Sequence, residues 1–346
     1  LWFVIALSGV ALFGLLAPIG ANASSQAQTP DARARAIVAQ MTLDEKILEV
    51  HGVGGVSPNL RIVPAIARLG IPAFVVTNGS AGVSYGTVSP RAPATALPAP
   101  LALAASWDTS LANTYGSVIG TEAKILGNDL LEGPDMNLAR VPQNGRTFEN
   151  LGEDPLLAGA IAANEIQGIQ GQGEIAEAKH YVGNEQELNR QTSNSIIDER
   201  TLHELYLTPF EMSVKQGGVD AVMCSYPEVN GQWACDNSTL MNQILKKDWN
   251  FQGFVSSDFG AAHNTLNAAL GGLDLEMASG KRFGSALKAA VQAGTVPMSV
   301  LDDKLIRRFR VTMQLGLWDN PPVAQTAIPS AVGSTDGVTA RKIGEA

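Results

Sequence analysis

The chain has 346 residues, of which 45% are hydrophobic and 16% charged, and its formal net charge is −9 at pH 7. The length suits either one barrel of ordinary size or two smaller domains. The acidic balance argues against nucleic acid and against a stable membrane surface as partners, and it favours a small polar substrate.

The first residues have the pattern of an export signal. Residues 1–17 are apolar and uncharged, and the small-residue cleavage pattern Ala21-Asn22-Ala23 follows, although a basic segment before the apolar run is absent. A membrane anchor is the alternative, but a run of this length followed by Pro18 and Gly20 is less suited to spanning a bilayer. We predict a signal peptide over residues 1–23, cleaved after Ala23, and a secreted or periplasmic protein.

Short apolar runs alternate with longer amphipathic segments along the rest of the chain. The runs are Ala73–Val76, Asp129–Leu131, Ile175–Ala178, Ala221–Met223, Phe254–Ser256 and Leu273–Leu275. Helical patterns cover Asp31–Ile47, Pro155–Ile169, Thr201–Lys215, Thr239–Lys247 and Gly284–Ala293. This alternation predicts an α/β fold with a parallel sheet, and the length favours a (β/α)8 TIM-barrel-like domain over residues 24–317, in a regular, irregular or incomplete form. An open doubly wound sheet is the alternative, although no GxGxxG motif follows the first run.

The character of the sequence changes after Leu317. Residues 318–335 are rich in Pro, Ala and Ser, which predicts a linker. Residues 336–346 begin a new helical pattern. Within the barrel, Pro209 is expected to kink the helix Thr201–Lys215.

Two cysteines, Cys224 and Cys235, lie close together in a loop-rich segment. They could pair after export, and the sequence leaves this open. The four histidines are scattered and no CxxC spacing occurs, so we predict no metal site and no cofactor.

Polar side chains follow the apolar runs where each run ends. They are Asn78, the pair Lys179-His180, Tyr226, Asp258 and Glu276. A single aspartate after a strand is more often a helix cap than a catalytic group, but the carboxyl ends of parallel strands converge on one face of a barrel. These side chains are therefore expected to share one site.

Carbohydrate chemistry accounts for this set of residues. Sugar hydroxyls need hydrogen-bond donors and acceptors on rigid elements, and an anomeric carbon needs a carboxylate to stabilise or trap its oxocarbenium-like transition state. Asp258 is the strand-end carboxylate best placed for that role. The hydroxyl partners would be Asn78, Arg146, Lys179, His180 and Arg190.

A series of blocks in order resembles the N-terminal domain of glycoside hydrolase family 3, the β-glucosidase and exo-glucanase family. The blocks are LARVPQNGRTFENLGEDP at 138–155, KHYVGNEQELNR at 179–190, ERTLHELYLTPFE at 199–211, VMCSYPEVNG at 222–231 and GFVSSDFGA at 253–261. The resemblance extends from about residue 32 to 317. It implies a TIM-barrel-like fold and hydrolysis of β-glycosides.

The resemblance also implies a role for each matching residue. Asp258 would be the nucleophile, and Tyr226 would lie beside it. Lys179 and His180 match a Lys-His pair that binds sugar hydroxyls in the −1 subsite. The sugar-contacting and site-ordering arginines match Arg146 and Arg190.

The chain departs from the family pattern in two site residues. Asn78 stands where the family usually has an aspartate that binds distal hydroxyls of the sugar, which makes selectivity for glucose less secure. Phe259 replaces the usual tryptophan after the nucleophile, so an apolar wall remains but an indole N–H is lost.

A retaining glycosidase also needs a second carboxyl as acid and base, about 5–5.5 Å from the first. Two-domain family members supply it from an α/β domain after the barrel. Residues 336–346 resemble the opening helix of that domain, so we interpret them as the start of a truncated second α/β domain. The N-acetylglucosaminidases instead use a His within a Lys-His-Phe-Pro-Gly-His-Gly block. That second His is missing from KHYVGNEQE at 179–187. We therefore expect the acid/base to lie outside this chain.

Other polar residues near these blocks have structural interpretations. Arg140 and Glu149 are expected to pair with each other beneath the site, and Glu185 and Glu187 to order the arginines and their loop. Glu276 would be either a rim contact or a solvated carboxylate.

We predict a retaining, exo-acting β-glycosidase that releases terminal β-linked glucose, or a related residue, from a small β-glycoside or oligosaccharide. A β-xylosidase-type or N-acetylglucosaminidase-type relative is an alternative. A non-catalytic sugar-binding barrel is another, and an aldolase-like Schiff base on Lys179 is the least favoured. A homodimer is left open.

Overall fold

The computed structural model describes residues 28–53, 61–83 and 93–346. The predicted signal peptide, residues 1–23, lies outside them. No helix in these ranges is long and apolar enough to cross a membrane.

The centre of the fold is a curled, mostly parallel sheet. Its strands, in spatial order, are β1 (Ile62–Val63), β2 (Phe74–Asn78), β3 (Leu130–Glu132), β4 (Ile175–Tyr181), β6 (Ala221–Cys224) and β9 (Phe254–Ser257). β1 pairs with β2 in antiparallel fashion, and the other neighbours are parallel. A separate small sheet contains β5 (Asn194–Ser195), β7 (Glu228–Val229) and β8 (Gln232–Trp233).

Isolated bridges continue the large sheet beyond β9. Leu275 bridges Ser256, and its neighbour Glu276 bridges His51. Val53 then donates its N–H to the carbonyl of Ile62, at 3.0 Å, and so reaches β1 again. The predicted TIM-barrel-like α/β fold is confirmed in an irregular form, and the run Leu273–Leu275 contributes only a bridge.

Helices surround this sheet. They are α1 (Pro30–Val38), α2 (Leu43–Glu49), α3 (Pro100–Ala105), α4 (Thr109–Ile125), α5 (Pro155–Gln170), α6 (Glu199–Thr201), α7 (Thr208–Met212), α8 (Thr265–Gly271), α9 (Ser285–Gln292), α10 (Met298–Gln314) and α11 (Ser330–Glu345). Wider π-type turns cover Leu202–Tyr206, Ser213–Gly217 and Thr239–Asp248, and short 3₁₀ turns cover Ala67–Leu69, Thr147–Glu149 and Ala234–Asp236.

Helices α4 and α5 pack closely because glycines face the contact. A Cβ on Gly116 would lie 2.1 Å from the Glu165 carbonyl oxygen, and one on Gly168 would lie 2.1 Å from that of Asn113. Asp154 caps α5 by accepting the N–H groups of Leu156 and Leu157. The cap fixes the point where the preceding loop, which carries Arg146, enters the helix.

Two helical predictions need correction. The pattern Asp31–Ile47 is interrupted between α1 and α2, where Thr42 caps α2 in a capping box with Glu45. The last helix begins at Ser330 rather than at Asp336. At Pro209, where we predicted a kink, π-type turns flank α7, and the Thr208 hydroxyl donates to the Glu204 carbonyl at 2.9 Å.

The sheet separates two apolar clusters. The inner cluster fills the barrel and includes Phe74, Leu130, Ile175, Ala221 and Phe254, one from each parallel strand. The outer cluster lies between the sheet and the helices. Because side chains alternate along a strand, residues two and four positions further along these strands also point inward. The sequence of each strand therefore decides what the barrel mouth contains.

Candidate active site

Inward-facing polar residues meet at the carboxyl ends of the parallel strands. They surround a cavity of about 380 Å³. Its lining residues are Arg61, Asn78, Glu132, Arg146, Glu149, Lys179, His180, Glu187, Arg190, Met223, Tyr226, Asp258 and Phe259. All seven site residues named from the sequence are among them, so the structure brings them together.

Lys179 and His180 are consecutive, yet both line the cavity. The register of β4 against β6 shifts between Ala178 and Tyr181, which breaks the alternation of side chains at this point. The Lys179 ammonium donates to Asn78 Oδ1 at 3.1 Å. The side chains of Lys179 and His180 are almost fully buried, so they form a fixed polar wall of the cavity.

His180 connects the nucleophile candidate to a buried polar network. Its Nε2 lies 3.7 Å from Asp258 Oδ2 and 3.2 Å from a guanidinium nitrogen of Arg146. On the other side of the ring, Nδ1 lies 3.1 Å from Asn137 Oδ1 and 3.4 Å from Asp135 Oδ2. The ring is therefore held from both edges.

Asn137 and Asp135 were not predicted from the sequence. Asn137 also accepts the N–H of His180 at 3.0 Å and donates to its carbonyl at 3.0 Å. Burial opposes the ionisation of Asp135, but the neighbouring charges of His180, Arg146 and Lys179 hold its pKa well below the usual range. The pair supports His180 from beneath the cavity.

Two arginines stand among carboxylates at the rim. Arg146 lies 2.8 Å from Glu149, 3.4 Å from Asp135 and 3.6 Å from Glu187. Arg190 donates to Glu187 at 2.7 Å. These contacts confirm that Glu187 orders the arginines, whereas Glu185 accepts from Asn137 at 3.3 Å instead.

The expected pairing of Arg140 with Glu149 is wrong. Glu149 binds Arg146, and Arg140 donates to the Tyr206 hydroxyl. The two interpretations of Glu276 are also wrong. Its carboxylate is buried and accepts the N–H groups of Arg282, at 2.9 Å, and Phe283, at 2.6 Å, because the chain turns back over it.

Tyr226 lies beside Asp258, as the resemblance implied. Its hydroxyl donates to the carbonyl of Phe259 at 3.1 Å, and the Arg190 guanidinium lies over its ring at 4.6 Å from the centroid. Burial, together with the Asp258 charge, raises the pKa of Tyr226. Asp258 Oδ1 accepts the N–H of Phe259 at 2.7 Å, which fixes the carboxylate against its own backbone.

Cys224 and Cys235 form a disulfide, with their Cα atoms 5.2 Å apart. The sequence did not decide whether these cysteines pair. In the structure their disulfide joins the two ends of the loop that carries Tyr226. Both cysteines are fully buried. The bond secures the base of the cavity wall after β6.

Arg61 and Glu132 are two lining residues that the sequence reasoning missed. Arg61 forms an ion pair with Glu132, and its guanidinium lies 4.4 Å from the centroid of the Phe259 ring. Burial raises the pKa of Glu132, against the opposing charges of Arg61 and Lys179. Glu132 ends β3, so the strand-end pattern that identified Asn78 would also have identified it.

Across the part of the chain that the structure describes, no group of three or more His, Cys, Asp or Glu side chains could hold a metal ion. The cavity instead combines carboxylates, cationic groups and hydroxyl or amide groups around an apolar wall. Such a mixture suits a neutral ligand with many hydroxyl groups.

Comparison with known proteins places this site in a family context. The model of the glycosyl hydrolase family 3 N-terminal domain matches residues 34–311. A β-glucosidase from Rhizobium radiobacter is 38% identical over 288 residues, which cover 83% of this chain and 35% of that protein. The chain therefore spans about a third of the length of this curated relative.

Solved structures show the same fold. DesR, a β-glucosidase from Streptomyces venezuelae in complex with D-glucose, superimposes with a TM-score of 0.82 at 38% identity, over 90% of this chain and 41% of that one. β-Glucosidase 3B from Thermotoga neapolitana in complex with glucose gives a TM-score of 0.84 at 31% identity, over 90% and 46% of the two chains.

Proposed function

The chain belongs to glycosyl hydrolase family 3, and from this premise we propose that it forms the barrel of a retaining, exo-acting β-glycosidase of the β-glucosidase type. The observation that carries this proposal is the position of Asp258. Its carboxylate lines the polar cavity, beside Tyr226 and His180. Names and bound sugars of the relatives support glucose as the first substrate to test.

In the proposed reaction, Asp258 attacks the anomeric carbon as the bond to the leaving oxygen breaks. A proton donor protonates that oxygen, and a glycosyl ester on Asp258 forms. Water then attacks the same carbon, gives up its proton to the conjugate base of the donor and releases Asp258. Two inversions give net retention of configuration.

The other lining residues would bind and orient the sugar. Lys179, Arg146 and Arg190 supply charged donors, and Asn78 supplies an amide. His180 lies between Asp258 and Arg146, so it is placed to contact a hydroxyl near the reacting carbon. Rigid donors of this kind reduce the entropic cost of orienting the substrate.

We further propose that the proton donor is not one of the carboxylates lining the described cavity. Glu132 pairs with Arg61, Glu149 with Arg146, and Glu187 with Arg190. Each of these carboxylates is held by its guanidinium partner and is therefore not free to reach the leaving oxygen of a glycoside.

A non-catalytic sugar-binding barrel is the second candidate. It is favoured because Glu132, Glu149 and Glu187, the lining carboxylates besides Asp258, are all paired with arginines. An activated 2-fluoro-glucoside distinguishes the two, because its leaving group needs little protonation. We expect a mass increase of one fluoroglucosyl group, located by peptide mass spectrometry on the peptide that contains Asp258. Asp258→Asn is the control and should remain unlabelled.

Labelling of any other residue would overturn the assignment of Asp258. Binding of glucose without any labelling would favour the sugar-binding barrel. Hydrolysis of an aryl β-glucoside with α-configured glucose as the first product, followed by NMR, would contradict the retaining mechanism.

A further inference from the structure

Asn78 and Glu132 are direct neighbours at the ends of two adjacent strands. They are register partners in the parallel pair of β2 with β3, and both side chains line the cavity. Cα atoms of paired residues on adjacent strands lie about 5 Å apart. The amide and the carboxylate can therefore contact one and the same ligand group.

The two side chains offer complementary hydrogen-bonding groups. The Oδ1 atom of Asn78 already accepts from Lys179 at 3.1 Å, so what Asn78 can offer a ligand is its amide N–H₂. Glu132, paired with the Arg61 guanidinium, offers carboxyl oxygens that accept. A sugar hydroxyl both accepts and donates one hydrogen bond, so a hydroxyl placed between them satisfies both.

Arg61 holds the Glu132 carboxyl group in place. The ion pair is nearly buried, with the Arg61 and Glu132 side chains 11% and 5% exposed. The guanidinium also rests on the Phe259 ring, 4.4 Å from its centroid. Phe259 directly follows Asp258, so this stack spans the cavity from β3 to β9.

Glu132 and Asp258 end strands that are not neighbours in the sheet. Going round the sheet, β4 and β6 separate β3 from β9. The two carboxylates therefore enter the same cavity from different strands, and one ligand can contact both.

We propose that Glu132, held by Arg61, is a specificity-determining residue that binds, together with Asn78, the hydroxyls of a hexopyranose remote from the anomeric carbon, at C-4 and C-6. The proposal rests on the sugar-binding part of the proposed function. The family resemblance leads one to expect an aspartate at position 78, where this chain has Asn78. Glu132 supplies a carboxyl group on the adjacent strand instead.

Binding of free monosaccharides tests this without requiring turnover. The affinities of the purified chain for D-glucose, 4-deoxy-D-glucose and 6-deoxy-D-glucose would be measured by calorimetry or ligand-observed NMR. A hydrogen bond to a charged group contributes enough that loss of its partner should weaken binding roughly 10-fold to 100-fold. We expect this loss for at least one deoxy sugar in the wild type, and a loss below about threefold in Glu132→Gln.

Glu149→Gln is the matched control, because Glu149 is another cavity carboxylate paired with an arginine. It should retain the wild-type preference for glucose over the deoxy sugars, even if its affinities fall. Should Glu132→Gln fail to fold because the Arg61 charge loses the opposite charge of Glu132, the double variant Arg61→Met/Glu132→Gln removes both charges and takes its place.

Equal weakening of all three sugars in Glu132→Gln would show a structural role and overturn the proposal. So would a wild type that binds glucose and both deoxy sugars equally, or that binds none of them. The labelling of Asp258 reports separately on the proposed function. If Asp258 is labelled but the preference for glucose does not depend on Glu132, only the specificity role of Glu132 is overturned. If the preference depends on Glu132 but Asp258 is not labelled, only the catalytic proposal is overturned.

Discussion

His180 Nε2 lies 3.7 Å from Asp258 Oδ2, and the opposite edge of the same ring is held 3.1 Å from Asn137 Oδ1. The nucleophile candidate is thus next to a side chain whose orientation depends on a residue outside the cavity. Changes at Asp258 and at Asn137 should consequently have different effects, the first on chemistry and the second on positioning.

Asp258→Asn should abolish turnover and leave the fold intact. The amide is isosteric and retains an oxygen that can accept the Phe259 N–H, but it cannot form the glycosyl ester. We expect hydrolysis of an aryl β-glucoside by a chain competent for turnover to fall by at least about a thousandfold. Thermal unfolding within a few degrees of wild type would exclude misfolding, and residual activity above about 10% would contradict the assignment.

Asn137→Leu should weaken glucose binding although Asn137 does not line the cavity. Leucine fills a similar volume but removes the hydrogen bonds to the backbone and ring of His180. Loss of these buried bonds should cost about 2–4 kcal/mol of unfolding free energy and leave the imidazole free to rotate. The affinity for glucose, measured below the unfolding transition, should fall about tenfold or more.

The control for this variant separates positioning from stability. Asn128→Leu removes another buried amide, whose Nδ2 donates to the Ala123 carbonyl at 2.9 Å, far from the lining residues of the cavity. It should be destabilised and still bind glucose normally. Equal loss of glucose affinity in both variants would contradict a positioning role for Asn137.

Much of the fold was predictable from the alternation of apolar runs with amphipathic segments. Five of the six runs became strands of the curled sheet, since buried parallel strands consist of short continuous apolar sequences. The closure of the barrel was not predictable. It depends on single bridges at Leu275, Glu276 and His51, which carry no periodic pattern.

The site was predicted where polar residues end recognisable strands. Arg61 was not predicted because it precedes a strand of only two residues. Asn137 was not predicted because it lies in the loop after β3, and the sequence of that loop does not show that Asn137 contacts His180. Glu276 was misinterpreted for a related reason. Its partners are the backbone N–H groups of Arg282 and Phe283, and side-chain chemistry does not reveal where a backbone turns.

Removal of the disulfide should weaken the wall that holds Tyr226. Cys224 and Cys235 are 11 positions apart, and a loop of this size contributes about 2–3 kcal/mol to stability by restricting the unfolded chain. The variant Cys224→Ala/Cys235→Ala should unfold at a lower temperature and bind glucose more weakly. Wild type treated with a reductant under mild denaturation should match it, whereas reductant should not change the variant. Unchanged stability in the variant would contradict this account.

Glu165 should make the protein less stable as the pH rises. The residue lies in α5, only 1% exposed, and neither carboxylate oxygen has a hydrogen-bond partner among the described residues. Burial raises its pKa from 4.5 to about 8. A carboxyl whose pKa is higher in the folded state gives its full contribution below pH 4.5, and the contribution is lost as the pH rises through about 8.

Glu165→Gln should remove this dependence, since glutamine stays neutral at every pH. The variant should equal wild type near pH 5 and exceed it near pH 9 by on the order of 2–4 kcal/mol of unfolding free energy, measured by urea denaturation. Glu153→Gln, at an exposed position, should differ from wild type by the same small amount at both pH values. Other carboxyls with raised pKa values, Glu177 at about 8 and Glu185 at about 7, remain in both proteins, so the difference between variant and wild type isolates Glu165. A difference that does not grow with pH would mean that the Glu165 carboxyl is solvated in the folded protein.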